Sequence, residues 1–214
     1  MKMRCFMPWP FIVVLFACEA WAQNAAEPIA AKTETPQKEE HPFILIHKVL
    51  LSPRCMNCHP KGDAPLQGDE SQPHSMNIKR GLEKNGMACT TCHRANNVGK
   101  VNAPPGVEHW ALPPKDFPMV FEGRSVQALC EQLRDPKTNK HRSLADLVEH
   151  VEHDALVRYG WTPGPGRTPV PYPFKDFVEA MKAWERREGH CPNDRTKWEV
   201  PQLKEQKQAL KDSK

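Results

Sequence analysis

The chain has 214 residues, a formal charge of +4 at pH 7, 22 prolines, 11 glycines, eight cysteines and only 39% apolar residues. So mild a positive charge gives no argument for a nucleic-acid partner. Breakers this frequent, with so little apolar content, exclude a plain helix bundle.

The first residues read MKMRCFMPWPFIVVLFACEAWAQ, with Lys2 and Arg4 ahead of an apolar run from Pro10 to Ala17. That run is short for a bilayer span, and Ala20-Trp21-Ala22 supplies an A-x-A cleavage site. Residues 1–22 therefore read as a secretion signal, with Gln23 opening the mature chain. The alternatives are an uncleaved anchor, or a lipoprotein at Cys18 in a lipobox that bulky Phe16 makes poor. The expected location is periplasmic, with no integral membrane span after cleavage. Losing Lys2, Arg4 and Glu19 with the signal takes the formal charge from +4 to +3.

Residues 23–40 are rich in Ala, Glu, Lys, Pro and Thr without an apolar period, and read as a disordered linker. Apolar residues then recur at Phe43, Leu45, Ile46, Val49 and Leu50. This spacing predicts a short helix that Pro53 stops.

Directly after it comes CMNCH at 55–59, and later CTTCH at 89–93. Both are C-x-x-C-H, the pattern of covalent haem attachment. The thiols of Cys55 and Cys58, and of Cys89 and Cys92, would join the vinyl groups of one porphyrin each. His59 and His93 would then be the proximal ligands of two haem irons. Two C-x-x-C pairs can also close a Cys₄ zinc site, but zinc needs no histidine after each pair. Exported thiols left uncapped tend to oxidise to disulfides. The expected cofactors are thus two covalently bound haem c groups. A porphyrin is itself a large apolar element, which accounts for the modest apolar content.

Between the motifs lies KGDAPLQGDESQPHSMNIKRGLEKNGMA, all turn formers and polar residues, and residues 101–120 are similarly proline-rich. No linker separates the motifs, so the haems are expected to be neighbours in one domain. The last third predicts three helices. One runs from Ser125 to Leu133, with Cys130 on its flank. A second is capped by Ser143, with Leu144, Leu147, Val148, Val151 and Ala155 as its stripe. A third runs from Phe174 to Arg187, through Phe177, Val178, Met181 and Trp184, and ends at Gly189. TPGPGRTPVPYP between the last two reads as a rigid loop. Removing Cys5 and Cys18 with the signal leaves Cys130 and Cys191 outside the haem motifs. In an oxidising compartment they suggest a disulfide, with two unpaired thiols as the alternative.

The expected fold is mostly α with extensive irregular loop: one dihaem cytochrome c-type domain over 41–193, then a charged flexible tail over 194–214. The sixth iron position decides the chemistry, because two strong ligands make a carrier and an open position admits small molecules. His74, in a polar loop with no packing reason for a histidine, is one candidate distal ligand. His150, on the flank of its helix stripe, is another, and Met119 is the next. Met76, His47 and His109 compete, while His153 falls on the solvated face. Trp110, Trp161 and Trp184 are expected to wall the haems. Arg80, Arg158 and Arg167 are candidate propionate partners or ordinary surface charges.

The run CMNCHPKGDAPLQGD, QPHSMNIKRG, CTTCH, HWALPPKDFPMVFEGRS, HVEHDALVRYGWTPGPGRTP and GHCP resembles one family. It is similar to the bacterial dihaem cytochrome c-like proteins often labelled isoquinoline 1-oxidoreductase subunits, over residues 43–192. The family pattern includes the histidines at 74 and 150 and the methionine at 119. Where many relatives have Trp-Gly-Trp, this chain has Tyr159-Gly160-Trp161. Nothing here could hold a molybdopterin, so the resemblance implies an electron-accepting partner to a dehydrogenase. The expected function is a periplasmic carrier of single electrons between a redox protein and an acceptor. The alternative is a haem enzyme with one open axial position, acting on peroxide or a small oxyanion.

Overall fold

The computed structural model describes residues 40–193. The expected signal, nearly all of the linker and the charged tail lie outside the described residues. His41 opens the first helix, α1 (Pro42–Leu50), by accepting the Phe43 N–H on its Nδ1 at 3.1 Å. Pro42, at the first helical position, lacks an N–H that would otherwise be unpaired there. Phe43, Ile46, Val49 and Leu50 face inward and are buried. Pro53 does stop α1, and it at once starts a second short helix, α2 (Pro53–Met56), which carries Arg54 and Cys55.

From Cys58 to Ser125 the chain is irregular. A two-residue antiparallel ribbon, β1 (Leu66–Gln67) with β2 (Gln72–Pro73), pairs Leu66 with Pro73. Three 3₁₀ turns follow at Ser75–Asn77, Leu82–Asn85 and Cys89–Thr91, none with a buried residue. The irregular course of this segment agrees with its turn formers and polar residues.

Helices return as α3 (Val126–Arg134), with Ser125 Oγ accepting the Ala128 N–H, and α4 (Leu144–His153). Ser143 and Asp146 form a reciprocal capping box at the start of α4. The expected stripe of α4 overruns at Ala155, which is exposed. Asp154 leaves helical geometry and caps a new helix, α5 (Ala155–Arg158), by accepting the Leu156 N–H at 2.8 Å. The last helix is α6 (Phe174–Arg186). Gly189 ends it in the left-handed region at φ +69°, donating its N–H to the Trp184 carbonyl.

The core sits where α1 crosses α6, with α3 and α4 beside them. Trp184 is fully buried, meets the Phe43 ring edge-on at 5.0 Å and donates its indole N–H to the His190 carbonyl. Truncating such a residue to alanine costs about 3–5 kcal/mol. Trp184 is thus a core residue rather than a haem wall, and Trp161 packs on Phe174 and Phe177. Cys130 and Cys191 form a disulfide with Cα atoms 5.7 Å apart, tying α3 to the chain beyond α6. It closes a loop of 61 residues, for which chain entropy gives on the order of 4 kcal/mol. The described residues are mostly α with much loop, and none of their helices is long and apolar enough to cross a membrane.

Candidate functional site

The first C-x-x-C-H motif straddles the end of α2. Its turn is closed by Cys58 N–H to Cys55 carbonyl (3.2 Å) and His59 N–H to Met56 carbonyl (2.9 Å). Cys55, Cys58 and His59 line a cavity of about 340 Å³ whose other walls include Leu50, Phe121, Leu147, Val151 and Met181. That volume lies at the lower end of ligand pockets, which span about 300–1,000 Å³. Both thiols are free. Burial pushes Cys55 up to about 11 and Cys58 up to about 12, so both are uncharged at neutral pH. The surface they keep faces the cavity.

His59 is held by the loop KDFPMVFEG. Its Nδ1 lies 2.7 Å from the Met119 carbonyl, and its ring stacks on Phe121 at 3.8 Å between centroids. A carbonyl only accepts, so Nδ1 carries the proton and Nε2 keeps its lone pair. Burial lowers the pKa of His59 to about 4, so the ring is neutral at pH 7. Met119 adopts φ +46°, a conformation that costs a methionine about 1 kcal/mol or more and here aims its carbonyl at the ring.

The second motif repeats this arrangement with different parts. Its 3₁₀ turn is closed by hydrogen bonds from Cys92 and His93 N–H to the Cys89 carbonyl. His93 Nδ1 lies 2.8 Å from the Pro105 carbonyl, and its ring stacks on Trp110 at 4.2 Å and 8°. Burial again lowers its pKa below the ordinary histidine value. The Trp110 edge in turn meets Tyr159 at 5.0 Å. Cys89 and Cys92 are free as well. Cys58 and Cys89 are close enough for charge on Cys89 to raise Cys58, so the motifs are spatial neighbours. Among the described residues no group of three or more His, Cys, Asp or Glu side chains is placed together to hold a metal ion.

The candidate distal residues fall in three places. His74 faces His93, with ring centroids 6.1 Å apart, and its Nδ1 hydrogen-bonds the Ser75 carbonyl, leaving Nε2 available. His150 lines the first cavity, half-buried, with Nδ1 3.3 Å from Asp154 Oδ2, and its charge bears on His59. Met119 also lines that cavity, while its main chain supports the proximal imidazole. Met76 is 76% exposed, His47 Nε2 bonds the Arg124 carbonyl, and His153 is exposed beside Glu149.

The two motif segments are tied together through TPGPGRTP. Arg54, next to Cys55, pairs with Asp69 at 2.7 Å. Asp69 in turn accepts the hydroxyl and N–H of Thr168 at 2.6 and 3.0 Å. Arg167 donates to the Ala103 carbonyl, and Gly164 and Gly166 lie against Asn97 and Val101, too close for a side chain at either glycine. Arg80, expected as a propionate partner, has its N–H groups committed to the Pro113, Gly62 and Pro118 carbonyls. Arg158 sits over the Phe174 ring.

Sequence reasoning missed the two carbonyls that hold the histidines, because a main-chain acceptor carries no residue signature. Trp110, expected as a haem wall, and Phe121, closing the apolar run Met119-Val120-Phe121, were the available hint. Comparison with family models, curated proteins and solved structures finds no match for this chain.

Proposed function

We propose that each C-x-x-C-H segment holds a covalently attached haem, and that the protein is a dihaem c-type cytochrome carrying single electrons. The observation that carries this reading is the repeated histidine geometry. In both motifs the imidazole donates Nδ1–H to a loop carbonyl and stacks on an aromatic ring, leaving Nε2 free. A metal-binding histidine is commonly held so, because the bond fixes its tautomer and orientation. The free, uncharged thiols beside each histidine suit thioether attachment, and an apolar cavity opens beside the first pair.

Bound haem supplies a one-electron couple at iron. The chain's own residues do the rest. Cys55, Cys58, Cys89 and Cys92 tether; His59 and His93 offer Nε2 from one side. His150, in the first cavity, and His74, facing His93, would supply the sixth ligands and so close both irons to substrates. Leu50, Phe121, Val151 and Met181 keep water from the first centre, which disfavours the more highly charged ferric state. The cytochrome is exported to the periplasm, and its partner is a redox protein, on the sequence resemblance a dehydrogenase.

The test is stoichiometric. The loaded, reduced protein should deliver two electrons per chain to ferricyanide and stay indifferent to cyanide and peroxide. Turnover of peroxide would overturn the carrier in favour of an enzyme with an open iron.

A further inference from the structure

Beyond tying α2 to Asp69, Arg54 has no task in the electron-carrier reading. It precedes Cys55 on α2, is 8% exposed and lines the first cavity. One terminal nitrogen is committed, to Asp69 Oδ1 at 2.7 Å and the Gly68 carbonyl at 2.9 Å. Its Nε–H is buried without an acceptor in hydrogen-bond geometry, and the Tyr159 hydroxyl lies close to the guanidinium. A guanidinium keeps its charge at any ordinary pH, and an unmatched N–H of such a group out of water is a strong donor awaiting an anion. Asp69 meets the guanidinium through one terminal nitrogen and does not reach Nε. Its carboxylate is 35% exposed and shared with Thr168.

We infer that Arg54 is the anion anchor of the first cavity, and that its Nε–H takes a carboxylate: a propionate of the haem tethered at Cys55 and Cys58. The inference rests on the haem reading above. Arg142 and Lys140 also line the cavity but lie nearer solvent, and Arg80 and Arg167 are committed to main-chain carbonyls. A fixed positive charge on the propionate side disfavours the ferric state, so Arg54 raises the reduction potential of the first haem alone. Arg54 is then a positioning and tuning residue rather than a ligand.

The experiment uses the full chain exported from a host with haem-maturation machinery, its haems counted by mass, and both midpoint potentials read by spectroelectrochemical titration. Arg54→Gln should keep two haems and their low-spin bands while one potential falls and the other stays. Arg54→Lys, which keeps charge without the Nε donor, should recover part of the drop. Two unmoved potentials in Arg54→Gln would overturn the proposal. Should that variant lose its fold or a haem, the wild type's resonance Raman spectrum decides. A pH-insensitive, hydrogen-bonded propionate band supports the anchor, and solvated bands alone overturn it. Acetate added to the wild type should shift nothing. A saturable shift absent from Arg54→Gln would assign the site to a free anion and overturn the propionate assignment. A chain without haem mass overturns both the carrier reading and this one.

Discussion

The imidazoles of His74 and His93 face one another with 6.1 Å between their centroids. Two imidazoles bound through nitrogen to opposite sides of one metal, with bonds of about 2 Å, have centroids roughly 6 Å apart. The separation of the pair matches that spacing, and a tilt of 56° leaves the rings unstacked. His74→Ala should keep both haems by mass yet turn one of them high-spin and cyanide-binding. An unchanged low-spin spectrum would assign the sixth position of that haem to another residue.

At the first centre Met119 and His150 both line the cavity, but only Met119 also holds His59 through its main chain. His150 enters from α4. Met119→Leu should accordingly leave the visible spectrum as it is, since a main-chain acceptor survives the change. His150→Ala should open the first haem to cyanide. The reverse pattern, with Met119→Leu producing the open iron, would assign the sulfur as ligand.

Gly106 is where the second centre is most fragile. A Cβ there would lie 2.2 Å from the Asn96 carbonyl oxygen, across the bridge between Asn96 and Val107. Gly106→Ala must push that bridge apart, and the carbonyl of neighbouring Pro105, which holds His93, moves with it. The variant should lose low-spin character at one haem while the helical core melts as before. Full retention of both low-spin haems would show that His93 does not depend on this loop.

Asp69 gives the fold a pH dependence with a definite sign. The Thr168 hydrogen bonds first, and the nearby charge of Arg54 as well, hold its carboxyl below the usual range. The folded chain thus binds this proton less readily than the unfolded one. Its stabilisation is present above the ordinary carboxylate pKa and is lost as pH falls through the lower, folded-state value. Asp69→Asn should melt below the wild type at neutral pH, and the gap should close in acid. A gap constant from neutral to strongly acid pH would rule out this linkage.

How much of this was legible beforehand follows from what a sequence can encode locally. The helices were readable because apolar spacing, Ser125, Ser143 and Gly189 are each local signals. The break at Asp154 was not, because Asp154 competes as a cap for the next turn against an apolar stripe that continues past it. The pairing of Cys130 with Cys191 followed from elimination once the haem motifs had claimed the other cysteines. The role of TPGPGRTP was hidden, since its contacts are with segments about 60 to 100 residues away. Arg54 was hidden for a similar reason: only the packed cavity reveals that its Nε–H is buried without an acceptor in hydrogen-bond geometry.

The most direct test of the dihaem carrier is one sample of the exported protein, weighed intact and then scanned in visible light, oxidised and reduced. A mass gain of two haems, with a sharp low-spin α-band on reduction and no response to cyanide, is the predicted result. A colourless chain, or a high-spin spectrum that cyanide shifts, would contradict it.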